Sequence, residues 1–116
     1  MSAQPSSELV QKKLRDCFPD AEAAAAAALA LLNGYGAQPW HREADRVRLA
    51  MLMQSRGELG RLRELAALAD RDYRDVLVGA EYPEEFQASL RTPPEAMAAI
   101  RRRDLEQYQR WLRSDG

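Results

Sequence analysis

Apolar residues along this chain recur at helical spacing, with almost no run that alternates as a strand would. Val10, Leu14, Cys17 and Phe18 share one face of a first helix, with Lys12, Lys13, Arg15 and Asp16 elsewhere on the wheel. Ser6 or Ser7 is placed to cap it, and Phe18-Pro19 ends it, because a residue before proline avoids the α region. Asp20 then offers an N-cap to a second helix, AEAAAAAALALLN, which holds six consecutive alanines, Ala23 to Ala28. Alanine brings high helix propensity and little volume. The stretch is therefore expected to be a tightly packed core helix, or alternatively a seam for self-association. Asn33-Gly34 reads as its stop, with the glycine left-handed, and Tyr35 to Pro39 as a loop.

The segment from Asp45 to Glu85 organises the rest. Pro39 suits the first turn of a third helix that runs to about Arg56. Val47, Leu49, Ala50, Met51, Leu52 and Met53 nearly encircle this helix, so it is expected at the centre of the fold. Gly57 breaks it. Leu62, Leu65, Ala66 and Ala69 form the single stripe of the next helix. Asp70 and Asp72 both offer N-caps, and Asp72 with Asp75 resembles a capping box with a shorter acid. A two-turn helix follows, with Tyr73, Val76, Leu77 and Ala80 on one face and Tyr82-Pro83 as its end. Glu84 to Leu90 predicts a turn of helix, and Arg91 to Pro94 a hinge. Thr92 with Glu95 forms a capping box for a last helix to about Arg113. Its apolar stripe is Met97, Ile100, Leu105, Tyr108, Trp111 and Leu112, interrupted by Arg101-Arg102-Arg103. The fold class is all-α, a compact bundle of five to six short helices. Residues 1–5 are expected as a flexible N-terminus, 6–90 as the helical core, and 91–116 as a hinge plus a C-terminal helix that packs on the core or swaps onto a partner subunit.

Composition agrees with this and narrows the function. A chain of 116 residues, 46% of them hydrophobic, can build one core without staples. Its formal net charge of -1 points to neither nucleic acid nor membrane. Residues 57–90 hold four arginines against eight acids, and residues 91–116 six arginines against four acids. The acidic middle opposes phosphate contact there, and the simplest use of the basic end is internal or intersubunit pairing with that middle. Cys17 is the only cysteine, which excludes an intrachain disulfide and a zinc cluster; it is expected as a buried structural thiol. The first residues lack a signal-peptide pattern, and the apolar run Ala21 to Leu32 is too short to span a bilayer, which needs about 20 residues. A soluble, cytoplasmic protein is expected.

Candidate chemistry is sparse. His41 is the only histidine; with Asp45 it would share a helix face and offer two metal ligands, one or two fewer than zinc requires. A first-turn structural histidine is the simpler reading, and no metal, cofactor or catalytic residue is assigned. Tyr73, Asp75, Glu81, Tyr82, Glu84 and Glu85 form an acidic, tyrosine-marked surface, to which Tyr108 and Trp111 add aromatic candidates for a partner interface.

The pattern D45-R-V-x-L-A-x-L, then G57-x-L-x-x-L-R, then D72-Y-R-D-V-L-x-x-A80-E-Y-P-E resembles a family of small, uncharacterised bacterial helical proteins. The resemblance covers Asp45 to Glu85 and is most specific in the DYRDVL and AEYPE blocks. It implies a bacterial, cytoplasmic, all-helical protein and carries no catalytic residue. The leading functional expectation is a non-catalytic protein–protein interaction or self-association module, as a homodimer. The alternative is a small enzyme or ligand-binding domain using Tyr73, Asp75, Glu81 and Tyr82. A weaker one is nucleic-acid binding through Arg101 to Arg103.

Overall fold

The structure, a computed structural model, describes residues 4–19, 22–88 and 91–114. Six helices follow one another: α1 Ser7–Cys17, α2 Glu22–Gly34, α3 Ala44–Ser55, α4 Leu59–Glu81, α5 Pro83–Gln87 and α6 Pro94–Arg113. The described residues form an all-helical bundle. The expected N-cap Asp20, the end of the predicted 84–90 turn and the first three residues lie outside the described residues.

α3 is the centre, as its encircling apolar residues require. Val47, Leu49, Ala50, Met51 and Leu52 are fully buried, and α4 and α1 pack against it. α4 supplies Leu62, Leu65 and Ala69 before a break and Val76, Leu77 and Ala80 after it. That break is at Asp72, whose extended backbone interrupts the helix and whose carboxylate accepts from the Arg74 amide at 3.1 Å. Asp72 thus caps a second helical segment, through the amide two residues on. Ser6 caps α1 in the usual way, its hydroxyl accepting from Leu9 N–H at 3.1 Å.

Several local expectations are corrected. α3 starts at Ala44 rather than near Pro39: residues 39–43 are held in a loop by tertiary hydrogen bonds, and Glu43 at φ 50 is left-handed. Gly34 is the last residue of α2, and the left-handed position is Gly36, φ 106. A side chain at 36 would also strike the Arg48 guanidinium. Arg48 accounts for this shift: its Nε donates to Leu32 O and Tyr35 O at 2.9 and 3.0 Å, satisfying carbonyls that a glycine turn would otherwise close. α2 buries only Ala28 and Leu32, with Ala23, Ala26 and Ala30 exposed, so it covers one side of the bundle instead of forming its core. α6 starts after Pro93 with no side-chain cap, so Thr92 and Glu95 do not form the expected box.

The stripe of α6 also differs. Its buried residues are Asp104, Tyr108 and Leu112, while Leu105 is 58% exposed. Asp104 is inside because its two carboxylate oxygens accept the Glu84 and Glu85 amides at 3.3 and 3.0 Å. These are first-turn amides of α5, which has no cap of its own. At the other end of α6, Lys13 of α1 is 1% exposed, against its expected place off the apolar face. Its ammonium lies 4.5 Å from the centre of the Trp111 ring and donates to Trp111 O, to Ser114 O and to Ser114 Oγ. A cation on the last carbonyls of a helix is favoured by both hydrogen bonding and the helix dipole. α6 is therefore fastened at Asp104 and at Lys13. Its buried face lies against α4 and α5.

Candidate functional site

Two places combine chemistry with access. The first is the loop between α2 and α3. Tyr35 is buried, and its hydroxyl donates to Arg42 O at 2.7 Å and accepts from Arg42 N–H at 3.1 Å. His41 stacks on Tyr35 with ring centres 4.4 Å apart. His41 Nδ1 accepts from the Gly36 and Gln38 amides at 2.8 and 3.3 Å, and Nε2 lies 3.0 Å from Asp70 Oδ1 on α4. With Nδ1 filled by two N–H donors, the proton of the neutral ring sits on Nε2 and is given to Asp70. The ring has no lone pair left to act as a base. His41 precedes α3, so it does not share a helix face with Asp45, and among the described residues no group of three potential metal ligands exists. Burial pushes the Tyr35 phenol up from its ordinary value. What this locked loop presents to solvent is Trp40, 64% exposed, with its edge toward the His41 ring.

The second place is a cleft of about 580 Å³ at the exit of α4. Arg46 of α3 spans one wall. Its Nε and Nη2 grip both oxygens of Glu81 at 2.7 and 2.5 Å, and Nη1 donates to Glu43. The bond to Glu81 is the main reason the guanidinium holds its proton still more firmly than usual. Glu85 on α5 pairs with Arg101 on α6 at 2.6 Å. Tyr82, Leu105 and Tyr108 also line it, with Leu112, Gln109 and the start of the described chain at Gln4 and Pro5. Tyr108 is 5% exposed, and its buried hydroxyl has no hydrogen-bond partner among the described residues. Burial pushes this phenol far up, Glu81 adding to the effect and Arg46 opposing it.

The structure brings four of the eight sequence candidates to this cleft: Glu81, Tyr82, Glu85 and Tyr108. Glu84 lies beside it, paired with Arg103 at 3.3 Å. Trp111 stacks on Tyr108 but turns toward Lys13. Tyr73 sits instead 6.5 Å from Tyr35, ring centre to ring centre, and Asp75 is exposed; neither lines the cleft. Arg101 and Arg103 spend their charge on α5, which is the internal pairing of basic end and acidic middle that the charge distribution favours. Cys17 is half-buried with its sulfur 3.9 Å from Leu52 O, and burial raises its thiol, so it is a poor nucleophile. Sequence reasoning missed Trp40, Phe86 and Leu105, the large apolar side chains most exposed to water. Only Trp40 gave a signal, since it follows Pro39 and belongs to no helical stripe. No helix among the described residues is long and apolar enough to cross a membrane. No protein-family model, curated protein or solved structure matches the chain.

Proposed function

We propose that this chain is a non-catalytic protein–protein interaction module that self-associates as a homodimer, with Trp40 as the anchor of the interface. The observation that carries the reading is the construction of the 35–43 loop. Tyr35, His41, Asp70 and Arg48 commit hydrogen bonds to a loop that holds one bare indole out to solvent. A large aromatic held rigid before binding loses little entropy on docking, which is what makes such residues effective anchors. Arg42 and Glu43 beside it are exposed and of opposite charge, so the same surface on a second copy is complementary to it. The resemblance across Asp45 to Glu85 extends the proposal to a bacterial, cytoplasmic setting.

Against catalysis stand the filled Nδ1 of His41 and the raised thiol of Cys17. Against nucleic acid stands the use of Arg101 and Arg103 in pairs with Glu85 and Glu84. Sedimentation equilibrium tests the proposal. The wild-type chain is expected to dimerise at micromolar concentration and Trp40→Ala to be monomeric, with unfolding free energies, measured dilute enough that both are monomers, within about 0.5 kcal/mol of each other, as for an exposed site. A monomeric wild type, or a dimer that Trp40→Ala leaves intact, refutes it.

A further inference from the structure

The cleft where α3, α4, α5 and α6 meet borders the Trp40 loop only at Glu43 and carries a different inference. We propose that it binds a small organic ligand, neutral or singly cationic, whose carbonyl or amide oxygen accepts a hydrogen bond from the hydroxyl of Tyr108.

Four observations converge on that chemistry. The cleft, at 580 Å³, has the size of a small-molecule site. Tyr108 lines it, and its hydroxyl is buried without a partner among the described residues, although nearly all buried polar groups in folded proteins have one. The neighbouring Arg46 and Glu81 bond to each other, and neither makes a hydrogen bond to the hydroxyl. The phenol keeps its proton in this setting, so it offers a donor, and the complementary ligand group is an acceptor.

Charge and shape define the rest of the ligand. The lining holds three carboxylates, Glu43, Glu81 and Glu85, against two guanidinium groups, Arg46 and Arg101. One negative charge is in excess, which disfavours an anion and favours an ammonium at the mouth, near the half-exposed Glu43. Leu105 stands at the lip, 58% exposed, and Leu112 lies within. An apolar body between them would take Leu105 out of water. The hydroxyl is closed to water, so a ligand reaches it only as lining side chains turn aside, and the little-packed Leu105 is able to do so.

Three probes separate these features: benzamide, 4-(aminomethyl)benzamide and benzoate, each titrated into the full chain and followed by backbone amide shifts. Benzamide is expected to give saturable shifts confined to Tyr82, Leu105, Tyr108, Gln109 and their neighbours. The aminomethyl probe should bind about three-fold more tightly and benzoate about ten-fold more weakly. Tyr108→Phe should weaken benzamide by about five- to ten-fold, the loss of one hydrogen bond. Leu105→Arg changes an exposed site and keeps the fold; it should erase the preference for the ammonium probe. Trp40→Ala should leave all three affinities unchanged, which separates this site from self-association. Shifts that do not saturate or that lie elsewhere overturn the proposal. So does benzoate binding as tightly as benzamide. An unchanged benzamide affinity in Tyr108→Phe also overturns it, and if that variant does not fold, an unchanged probe preference in Leu105→Arg does so.

Discussion

Removal of the Asp104 carboxylate is the sharpest test of how α6 is held. In the folded chain this buried group accepts the amides of Glu84 and Glu85 at 3.3 and 3.0 Å and is the cap that α5 lacks in its own sequence. Each bond to a charged acceptor contributes about 1.5–3 kcal/mol net. Two effects reduce the sum: the released amides sit at the edge of the bundle, where water replaces part of what is lost, and the buried charge itself no longer has to be desolvated. Asp104→Ala is therefore expected to cost about 2 kcal/mol, the upper end for loss of an N-cap. For a chain of this length that lowers Tm by about 8 °C. Asp104→Asn keeps the shape and one acceptor oxygen and should cost roughly half as much. Asp104→Leu is the decisive variant, since leucine would suit the apolar surroundings of α6. If the carboxylate is there to cap α5, leucine should be as harmful as alanine. Urea unfolding followed by circular dichroism measures all three. An Asp104→Leu chain as stable as wild type would refute the capping argument.

Two further predictions concern buried polar groups on the same helix. Lys13→Met keeps most of the apolar stem but loses the ammonium that holds Trp111 O and Ser114 O; it should cost about 2 kcal/mol, with faster amide exchange confined at first to the last turn of α6. Tyr108→Phe removes a buried hydroxyl that has no partner and should stabilise the chain by about 1 kcal/mol at neutral pH. The Tyr108 phenol is raised in the folded state, so the unfolded chain releases this proton first. Its contribution is fully present below about pH 10, the unfolded value, and is lost as pH rises toward the folded one. Wild-type stability should therefore fall above about pH 10 more steeply than that of Tyr108→Phe, read from urea midpoints across that range.

Much of the fold was legible along the chain because helical periodicity, proline and capping residues act over a few positions. The Ser6 cap, the encircled α3, the break at Asp72 and the stop at Tyr82-Pro83 follow from neighbours in sequence. The placement of Leu105 in the α6 stripe shows where that reasoning stops. The spacing 97, 100, 104, 108, 111 is at least as regular as one through 105, but it passes through an aspartate, and hydropathy alone rejects it. Only the amides of α5, some twenty residues earlier, make Asp104 an interior residue. Lys13 was set aside on the same grounds and is inside for the same reason: its partners, at Trp111 and Ser114, are 98 and 101 residues away.

The candidate sites divide along the same line. Residues Glu81, Tyr82 and Glu85 stood out together because they are adjacent, and they remain together at the cleft. Tyr73 and Asp75 were grouped with them by proximity in sequence, but the extended backbone at Asp72 and the turn of the following helix set Tyr73 beside Tyr35 instead. His41 lost its apparent kinship with Asp45 because Tyr35 and two loop amides stop the helix from reaching back that far. By itself the sequence determined that this chain is helical, where its central helix lies and that an acidic middle precedes a basic end. The tertiary structure alone decided which polar groups are buried, which aromatics stay in water and which walls meet around Tyr108. Periodicity records an average preference for burial, whereas a buried charge or a bare indole is settled by one or two specific partners far along the chain.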